Sequence, residues 1–292
     1  MSPSAAPARA CPACDRGLRR WFEKEGLAFG RCPSCGGGYA EVPPSEPARY
    51  HDYLPALTRT LPDATRARYR ELLESFAPVR RTGRLLDVGC GGGFFVGEAA
   101  AAGWRAEGTE VSAAAVEFGR ARGWTLHRGV LDDAPVEPGS LDVLTLFEVL
   151  EHVQDPAGLL RQCAARLRPG GLLYLTTPNM GSLSRRILGA GWSVISRDHV
   201  SLHTARALAA LCGKAGLGRA RIASRNILPH EVAKAFRRGT ARGEGGSPMA
   251  RTVELQARIE GRPHLRLAKG AVNFALGVTG LGDTLVMRAH KR

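Results

Sequence analysis

Three sets of residues carry chemistry in this sequence. The first is Cys11-x2-Cys14 with Cys32-x2-Cys35, two knuckles separated by 17 residues. Each C-x2-C turn folds back so that two thiolates face one point. Two such turns at this spacing offer four thiolates to a tetrahedral zinc ion. Four protein ligands leave no open position, so the expected zinc is structural. The second set is Asp87, Gly89, Gly91 and Gly93, with Glu110 lying 21 residues past Gly89. Glycines let backbone approach a ligand closely. A carboxylate about 20 residues further on is where nucleotide-binding α/β folds grip a ribose diol. The glycines alone fit an ordinary turn equally well, and Glu110 is what tilts the reading toward a nucleotide-like ligand. The third set is Glu148, Glu151 and His152, joined by His199. These carboxylates and imidazoles can move protons or hold a divalent ion.

The elements that position these groups follow from pattern. Residues 84–103 pass from an apolar run through the glycines into an alanine-rich segment, which reads as strand, tight turn and helix. That helix aims its free N–H groups at the glycine turn, and Asp87 is expected to hold the turn by accepting from its amides. A second strand is expected over 104–109, ending at Glu110. Ser112 then caps a helix over 113–122, and a third strand spans 125–129, followed by Leu131 and Asp132, with Asp133 a competing polar group. Residues 139–147 form a turn and a buried fourth strand. Asp155 and Pro156 open a helix, with proline in its favoured first position. Residues 168–171 form a turn, 172–177 a fifth strand, 219–224 a sixth and 284–289 a closing antiparallel seventh beside the fifth. A helix over 63–76, capped by Asp63, carries Tyr69, Leu72, Leu73 and Phe76 on one face. It either covers the mouth of a ligand pocket or simply packs on the sheet. Residues 180–203 have no clean period and follow the ligand-binding edge, so they read as a lid or acceptor-pocket insertion. Thr204 caps the helix after it.

At this point a resemblance becomes specific. Asp87-x-Gly89-x-Gly91-x-Gly93 with Glu110 resembles motif I and its partner acid in class I S-adenosylmethionine (SAM) methyltransferases. A dinucleotide fold would carry G-x-G-x-x-G, and position 94 is Phe. The run FEVLEHVQDP over 147–156 and the L-x-P-G-G sequence over 167–171 resemble the small-molecule branch of that class, which includes the ubiquinone-biosynthesis O-methyltransferases. The resemblance covers roughly 80–220. It implies an α/β fold: a Rossmann-like, seven-stranded, mostly parallel sheet with helices on both faces, here with a small N-terminal zinc ribbon. It implies SAM seated by Asp87, Gly89, Gly91, Gly93 and Glu110, with Leu131 and Asp132 flanking the adenine and Phe147 bordering the cofactor. Glu148, Glu151 and His152 match positions that bind a divalent ion such as Mg2+ in the O-methyltransferases; in other relatives they serve as cap and pocket-wall groups without metal. Trp192, His199, His203 and Thr204 match the lid motif. The expected catalytic residues are His152, His199 and Glu148, with His199 either the general base or a histidine that fixes the lid.

The expected organisation is a tail over 1–10, a zinc ribbon over 11–42, a linker over 43–62 and a methyltransferase domain over 63–292. Hydrophobic content of 44% and charged content of 23% are those of a soluble globular protein. No stretch has the length of a membrane span, and the tail lacks the apolar centre of a signal peptide. The expected location is cytoplasmic, where seven cysteines read as metal ligands or free thiols. The net charge of +14 has much of its excess after residue 220, and a solvated face is favoured there over a phosphate or lipid surface. The expected partner is a small hydroxylated acceptor, a natural-product or sugar-derived intermediate, methylated on oxygen. An rRNA guanine methyltransferase is the rival enzyme, favoured by the basic C-terminal region and opposed by the 148–156 run. A catalytically inactive zinc-ribbon binding protein is opposed by the intact Asp87, Gly89, Gly91 and Glu110.

Overall fold

The structure is a computed structural model that describes residues 10–41, 60–226 and 263–292. The expected 43–62 linker and the Gly/Arg-rich 237–249 stretch fall almost wholly outside the described residues, as do seven of the fourteen lysines and arginines after 220.

The chain opens with an antiparallel hairpin, β1 (Arg19–Lys24) and β2 (Leu27–Arg31), followed by β3 (Gly38–Glu41). Helix α1 (Asp63–Glu74) leads into alternating elements: β4 (Arg84–Val88), α2 (Phe94–Ala101), β5 (Arg105–Glu110), α3 (Ala113–Arg120), β6 (Thr125–Arg128), β7 (Leu141–Phe147), α4 (Pro156–Arg166) and β8 (Leu167–Pro178). Then come α5 (Leu183–Leu188), a short β9 (Ser201–Leu202), α6 (Ala205–Lys214), β10 (Arg221–Arg225), α7 (Pro263–Thr279) and β11 (Thr284–His290). Seven strands form one sheet in the order β10-β11-β8-β7-β4-β5-β6. The pairings among β8, β7, β4, β5 and β6 are parallel, while β11 runs antiparallel between β8 and β10. This is the seven-stranded, Rossmann-like sheet that the sequence implied.

Alternation along the central strands explains why helices cover both faces. Leu85 and Val143 pack with Leu73 of α1, Phe76 just beyond it, and Phe95 and Val96 of α2. Their neighbours Leu86, Val88, Leu144 and Leu146 pack with Leu160 of α4 and Leu208 and Leu211 of α6. Each such fully buried leucine contributes about 1.5–3 kcal/mol relative to exposure. Among the described residues, no helix is long and apolar enough to cross a membrane.

Two expectations are corrected. The position before α1 is Pro62, which makes no side-chain cap, and Asp63 is instead the first helical residue, with an exposed pairing to Arg66 at 3.9 Å. The 168–171 turn does not separate helix from strand. β8 starts at Leu167, and the strand absorbs the extra residues as an irregularity against β7, with Gly170 at φ 74°. Residues 180–203, expected as a lid or acceptor-pocket insertion, are anchored to the ribbon. Trp192 and Ile195 are fully buried against Leu27, Phe29 and Ala40 of the ribbon, and β9 completes the ribbon sheet in the order β1-β2-β3-β9.

Candidate functional site

The strand order reverses at β4, which is flanked by β5 and β7, and ligands in open α/β sheets bind at such a switch, beyond the carboxyl ends of the strands. The glycine loop sits there. Gly89, Gly91 and Gly93 have φ of 71°, 52° and 82°, values that other residues adopt only under strain. The Gly89 and Cys90 amides donate to the Thr109 carbonyl at 2.8 and 2.9 Å, which pins the loop to β5. A Cβ at Gly89 would strike Val149 at 2.5 Å, whereas one at Gly91 would meet nothing within 4 Å. The loop is therefore packed behind and open in front. Glu110 clamps it: one carboxylate oxygen accepts from the Gly91 amide at 2.9 Å and the other from the Ser112 amide at 2.9 Å. Spacing alone did not reveal this clamp. Asp87, 2% exposed, accepts from the Thr145 hydroxyl at 2.6 Å and not from the loop amides as expected. Burial pushes its carboxyl up to about 7 despite that hydrogen bond, and the Glu110 charge adds to the rise.

An aromatic wall stands beside Asp87. Phe147 lies 4.9 Å from Phe95, 5.7 Å from Tyr174 and 6.3 Å from Tyr69, ring centre to ring centre. Tyr69 belongs to α1, so that helix packs on the sheet and also reaches the crevice. Burial and the Asp87 charge push the Tyr69 phenol up to about 12. Leu131 and Asp132, the expected adenine neighbours, sit on a short helical turn after β6. The short helical turn at 131–133 points Leu131 into the core at 1% exposure, and the apolar surface left outside is Val130 at 58%. Asp132 accepts from Gln162 at 2.8 Å and Arg166 at 3.1 Å on α4, and Asp133 accepts from its own turn at the Val130 amide.

The third set gathers where β7 ends. Glu148 has φ 53°, a left-handed conformation that costs about 1–3 kcal/mol in a non-glycine residue and that clusters at functional sites. Glu151 is buried and accepts from the Thr177 hydroxyl at 3.0 Å. Burial pushes both carboxyls above their ordinary value, and the Glu148 charge adds to the shift at Glu151. His152 and His199 face each other edge to face at 4.6 Å. Each Nδ1 lies against a carbonyl, that of Asp198 at 2.9 Å for His152 and that of Val194 at 2.6 Å for His199. That arrangement assigns the Nδ1–H tautomer and directs Nε2 as an acceptor. Burial lowers both imidazoles, His199 to about 4, with the His152 charge contributing there. Both are neutral, and so able to accept a proton, at pH 7.

The potential ligand atoms within 4.8 Å of one another belong to Glu151, His152 and His199, and Glu148 is not among them. The expected Mg2+ trio is therefore not the group brought together. One carboxylate with two imidazoles is also a poor donor set for Mg2+, which prefers oxygen ligands. His203 is fully buried, lowered to about 4 by burial, and edge-on to Tyr39 at 6.2 Å, so it belongs to the packing under the site.

The four ribbon cysteines converge as their spacing required. Cys11 and Cys35 sulfurs lie 3.5 Å apart, and Cys14 and Cys32 sulfurs 3.4 Å apart. A disulfide needs about 2.05 Å, whereas tetrahedral zinc with bonds of about 2.3 Å sets sulfurs about 3.8 Å apart. The donor set fits zinc. Although burial opposes ionisation of Cys32, the Cys35 and Ser34 amides bring its thiol down to about 7.

A Rossmann-like sheet with a glycine loop, a clamping acid and an aromatic wall at its switch point defines a nucleotide-type cofactor site of the SAM class. The family model described as methyltransferase domain matches residues 62–218, more than half of the chain. The chain therefore belongs to the methyltransferase domain family, with a class I SAM-dependent domain behind a zinc ribbon. It is 42% identical over 105 residues to the ubiquinone biosynthesis O-methyltransferase of Bordetella bronchiseptica, a match spanning 33% of this chain and 43% of that relative. The corresponding protein of Ralstonia nicotianae is 39% identical over 114 residues, 36% of this chain and 47% of the relative. The matches thus span under half the length of those relatives. Among solved structures, a SAM-dependent methyltransferase from Archaeoglobus fulgidus is similar at TM-score 0.52 and 16% identity, covering 78% of this chain and 94% of that one. Haemonchus contortus phosphoethanolamine N-methyltransferase 2, in complex with SAM, is similar at TM-score 0.52 and 19% identity, covering 77% of this chain and 52% of that one. At these identities the likeness is one of fold.

Proposed function

We propose that this chain methylates a hydroxyl of a small metabolite, a natural-product or sugar-derived intermediate, with SAM as the donor. The observation that carries the reading is the meeting, at one sheet edge, of a clamped and open glycine loop with two neutral histidines 4.6 Å apart. Gly89, Gly91, Gly93 and Glu110 would hold SAM, with Asp87, Tyr69 and Phe147 along the same crevice and Val130 as the apolar surface near the adenine. Bound SAM supplies a methyl group already activated by its sulfonium charge. The protein's own work is alignment and proton removal. His199, held through Nδ1 by Val194, accepts the hydroxyl proton at Nε2, with His152 beside it, and Glu148 at the end of β7 borders the acceptor. The similarity to ubiquinone biosynthesis O-methyltransferases supports oxygen as the methylated atom. The ribbon, over 11–42, holds one structural zinc on Cys11, Cys14, Cys32 and Cys35, and the methyltransferase domain runs from 63 to the C-terminal strand. The seven free cysteines fit a reducing compartment. The test is a screen of phenols, sugars and rRNA as acceptors, read by release of S-adenosylhomocysteine. Turnover of rRNA alone would overturn the small-molecule assignment.

A further inference from the structure

A separate cavity of about 800 Å³ opens between the ribbon and the methyltransferase domain, within the range of small-molecule pockets. Six arginines line it: Arg19, Arg20 and Arg31 from the ribbon strands, Arg185 and Arg186 from α5, and Arg206 from the first turn of α6. No acidic residue is among the described residues that line it. Only Arg20 has an ion pair among the described residues, an exposed one with Glu23 at 3.7 Å. Arg19 stands directly across the hairpin from Arg31, a placement that like charges disfavour. The guanidinium groups of Arg31 and Arg185 both lie over the Trp21 ring, at 5.3 and 4.6 Å. The Arg185 Nε is buried without a hydrogen-bond partner. Burial, and then the Arg31 charge, hold Arg185 below the ordinary arginine value. The positive end of α6 opens onto the same space at Thr204 and Ala205.

A zinc ion on four thiolates carries a net charge of about −2, so it offsets about two of these six charges; with Arg20 paired to Glu23, about three remain without an anionic partner among the described residues. Guanidinium forks match phosphate oxygens in pairs, and more than two uncompensated arginines exceed what a single phosphate needs. A volume of about 800 Å³ is that of a small-molecule site, which favours a small molecule over a nucleic-acid strand. It also adjoins the methyl-transfer edge. Asn179, which lines the cavity, lies three residues beyond Thr176, and Thr176 registers with Phe147 in the crevice. At strand rise that is about 10 Å, within the length of a nucleotide-sized molecule.

We propose that this cavity binds the diphosphate end of the methyl acceptor, which makes the acceptor a phosphorylated small molecule. That the anion belongs to the acceptor rests on the methyl-transfer reading; that the cavity takes a phosphoryl anion does not. The test is calorimetry on the full zinc-loaded chain with inorganic pyrophosphate and, separately, uridine diphosphate. Both probes should bind. The exposed variants Arg186→Gln and Arg206→Gln should each weaken binding about tenfold while SAM affinity and melting temperature stay near the original values. Arg185→Gln should weaken it further, with zinc content and melting temperature as checks on folding. No saturable binding of either probe at about 5 mM, in protein that binds SAM, would overturn the anion site and leave the methyl-transfer reading standing. Binding that is equal in all three variants would overturn it too, by placing the anion elsewhere. So would a short single-stranded RNA that binds through these arginines, with steep salt dependence, when pyrophosphate does not compete. Protein that binds pyrophosphate through the arginines but not SAM would instead refute the methyl-transfer reading and leave the anion site.

Discussion

Replacing Glu110 with alanine separates a cofactor-gripping carboxylate from one that merely ties a loop. In the free protein its two oxygens accept from Gly91 and Ser112, each at 2.9 Å. A hydrogen bond to a charged group is worth about 1.5–3 kcal/mol net. Glu110 is half-exposed, so water can take over both amides in the variant, and the cost to stability falls to about 1 kcal/mol or less. A ribose diol that loses its carboxylate acceptor has no such replacement inside a filled crevice. The loss in SAM affinity should therefore approach the full 1.5–3 kcal/mol, roughly 10- to 150-fold in Kd. Glu110→Gln keeps a carbonyl for one amide but turns an NH2 toward the other, so its loss should be intermediate. Calorimetric titration with SAM and with S-adenosylhomocysteine, alongside thermal melts, reads both effects. A folded Glu110→Ala protein with unchanged SAM affinity would refute the ribose assignment. If its melting temperature alone had dropped, the residue would be a loop clamp and nothing more.

The other expectations concern the metal, the base and the buried imidazoles. Metal analysis should find one zinc per chain, and Cys32→Ser should release it and lower turnover while SAM affinity is retained; full zinc occupancy in the quadruple Cys11, Cys14, Cys32, Cys35→Ser variant would place the metal elsewhere. His199→Ala should lower turnover by roughly 10²–10⁴-fold with the SAM Kd near its original value. If turnover survives both that change and His152→Ala, acceptor positioning alone carries the reaction. His203 is buried with its pKa lowered to about 4, so it contributes stability that is present above its ordinary value near 6.5 and lost as pH falls toward 4. The stability advantage of the unaltered chain over His203→Asn should accordingly shrink between pH 7 and pH 4 in chemical denaturation, and a constant difference would show that His203 is not buried neutral.

The strands of the sheet were legible because the parallel core leaves a local signal, apolar runs broken by glycine, and the caps at Ser112, Asp155 and Thr204 sit where local chemistry puts them; the architecture they build was implied by the family resemblance. The cysteine cluster was legible for the same reason, since its ligands come in two tight pairs. What stayed hidden depends on contacts between distant segments. Residues 180–203 have no period because Trp192 and Ile195 bury against Leu27 and Phe29, some 160 residues earlier in the chain, and not against their own helix. The arginine cavity draws on positions 19–31 and 185–206, each set unremarkable by itself, while the composition pointed past residue 220. Spacing placed Glu110 near the glycines but could not say that it accepts from Gly91. The burial of Leu131 and the exposure of Val130 were hidden because a three-residue helical turn, too short to leave a pattern, decides which of them faces the core.

The same long-range contacts explain why cofactor binding and turnover should respond separately to the ribbon. SAM's expected partners, Gly91 and Glu110, are fixed by β4 and β5, which the ribbon sheet does not join. The histidines are fixed differently. β3 pairs with β9, with Gly38 opposite Leu202 and Tyr39 opposite Ser201, and the Ala40 amide donates to the Val200 carbonyl at 2.8 Å. The Ser201 hydroxyl in turn donates to the Val153 carbonyl at 2.8 Å, beside His152, and the Asp198 carbonyl meets His152 itself. Thr204 donates to the Cys35 carbonyl at 2.6 Å while capping α6, so a zinc knuckle and the first turn of that helix share one hydroxyl. Loss of a metal from the four cysteines is therefore expected to disturb Cys32 and Cys35, and through them β9 and the 150–153 turn, more than the glycine loop. The structural zinc would thus hold the acceptor side of the site in place, although it lies in a separate part of the sequence and touches neither histidine.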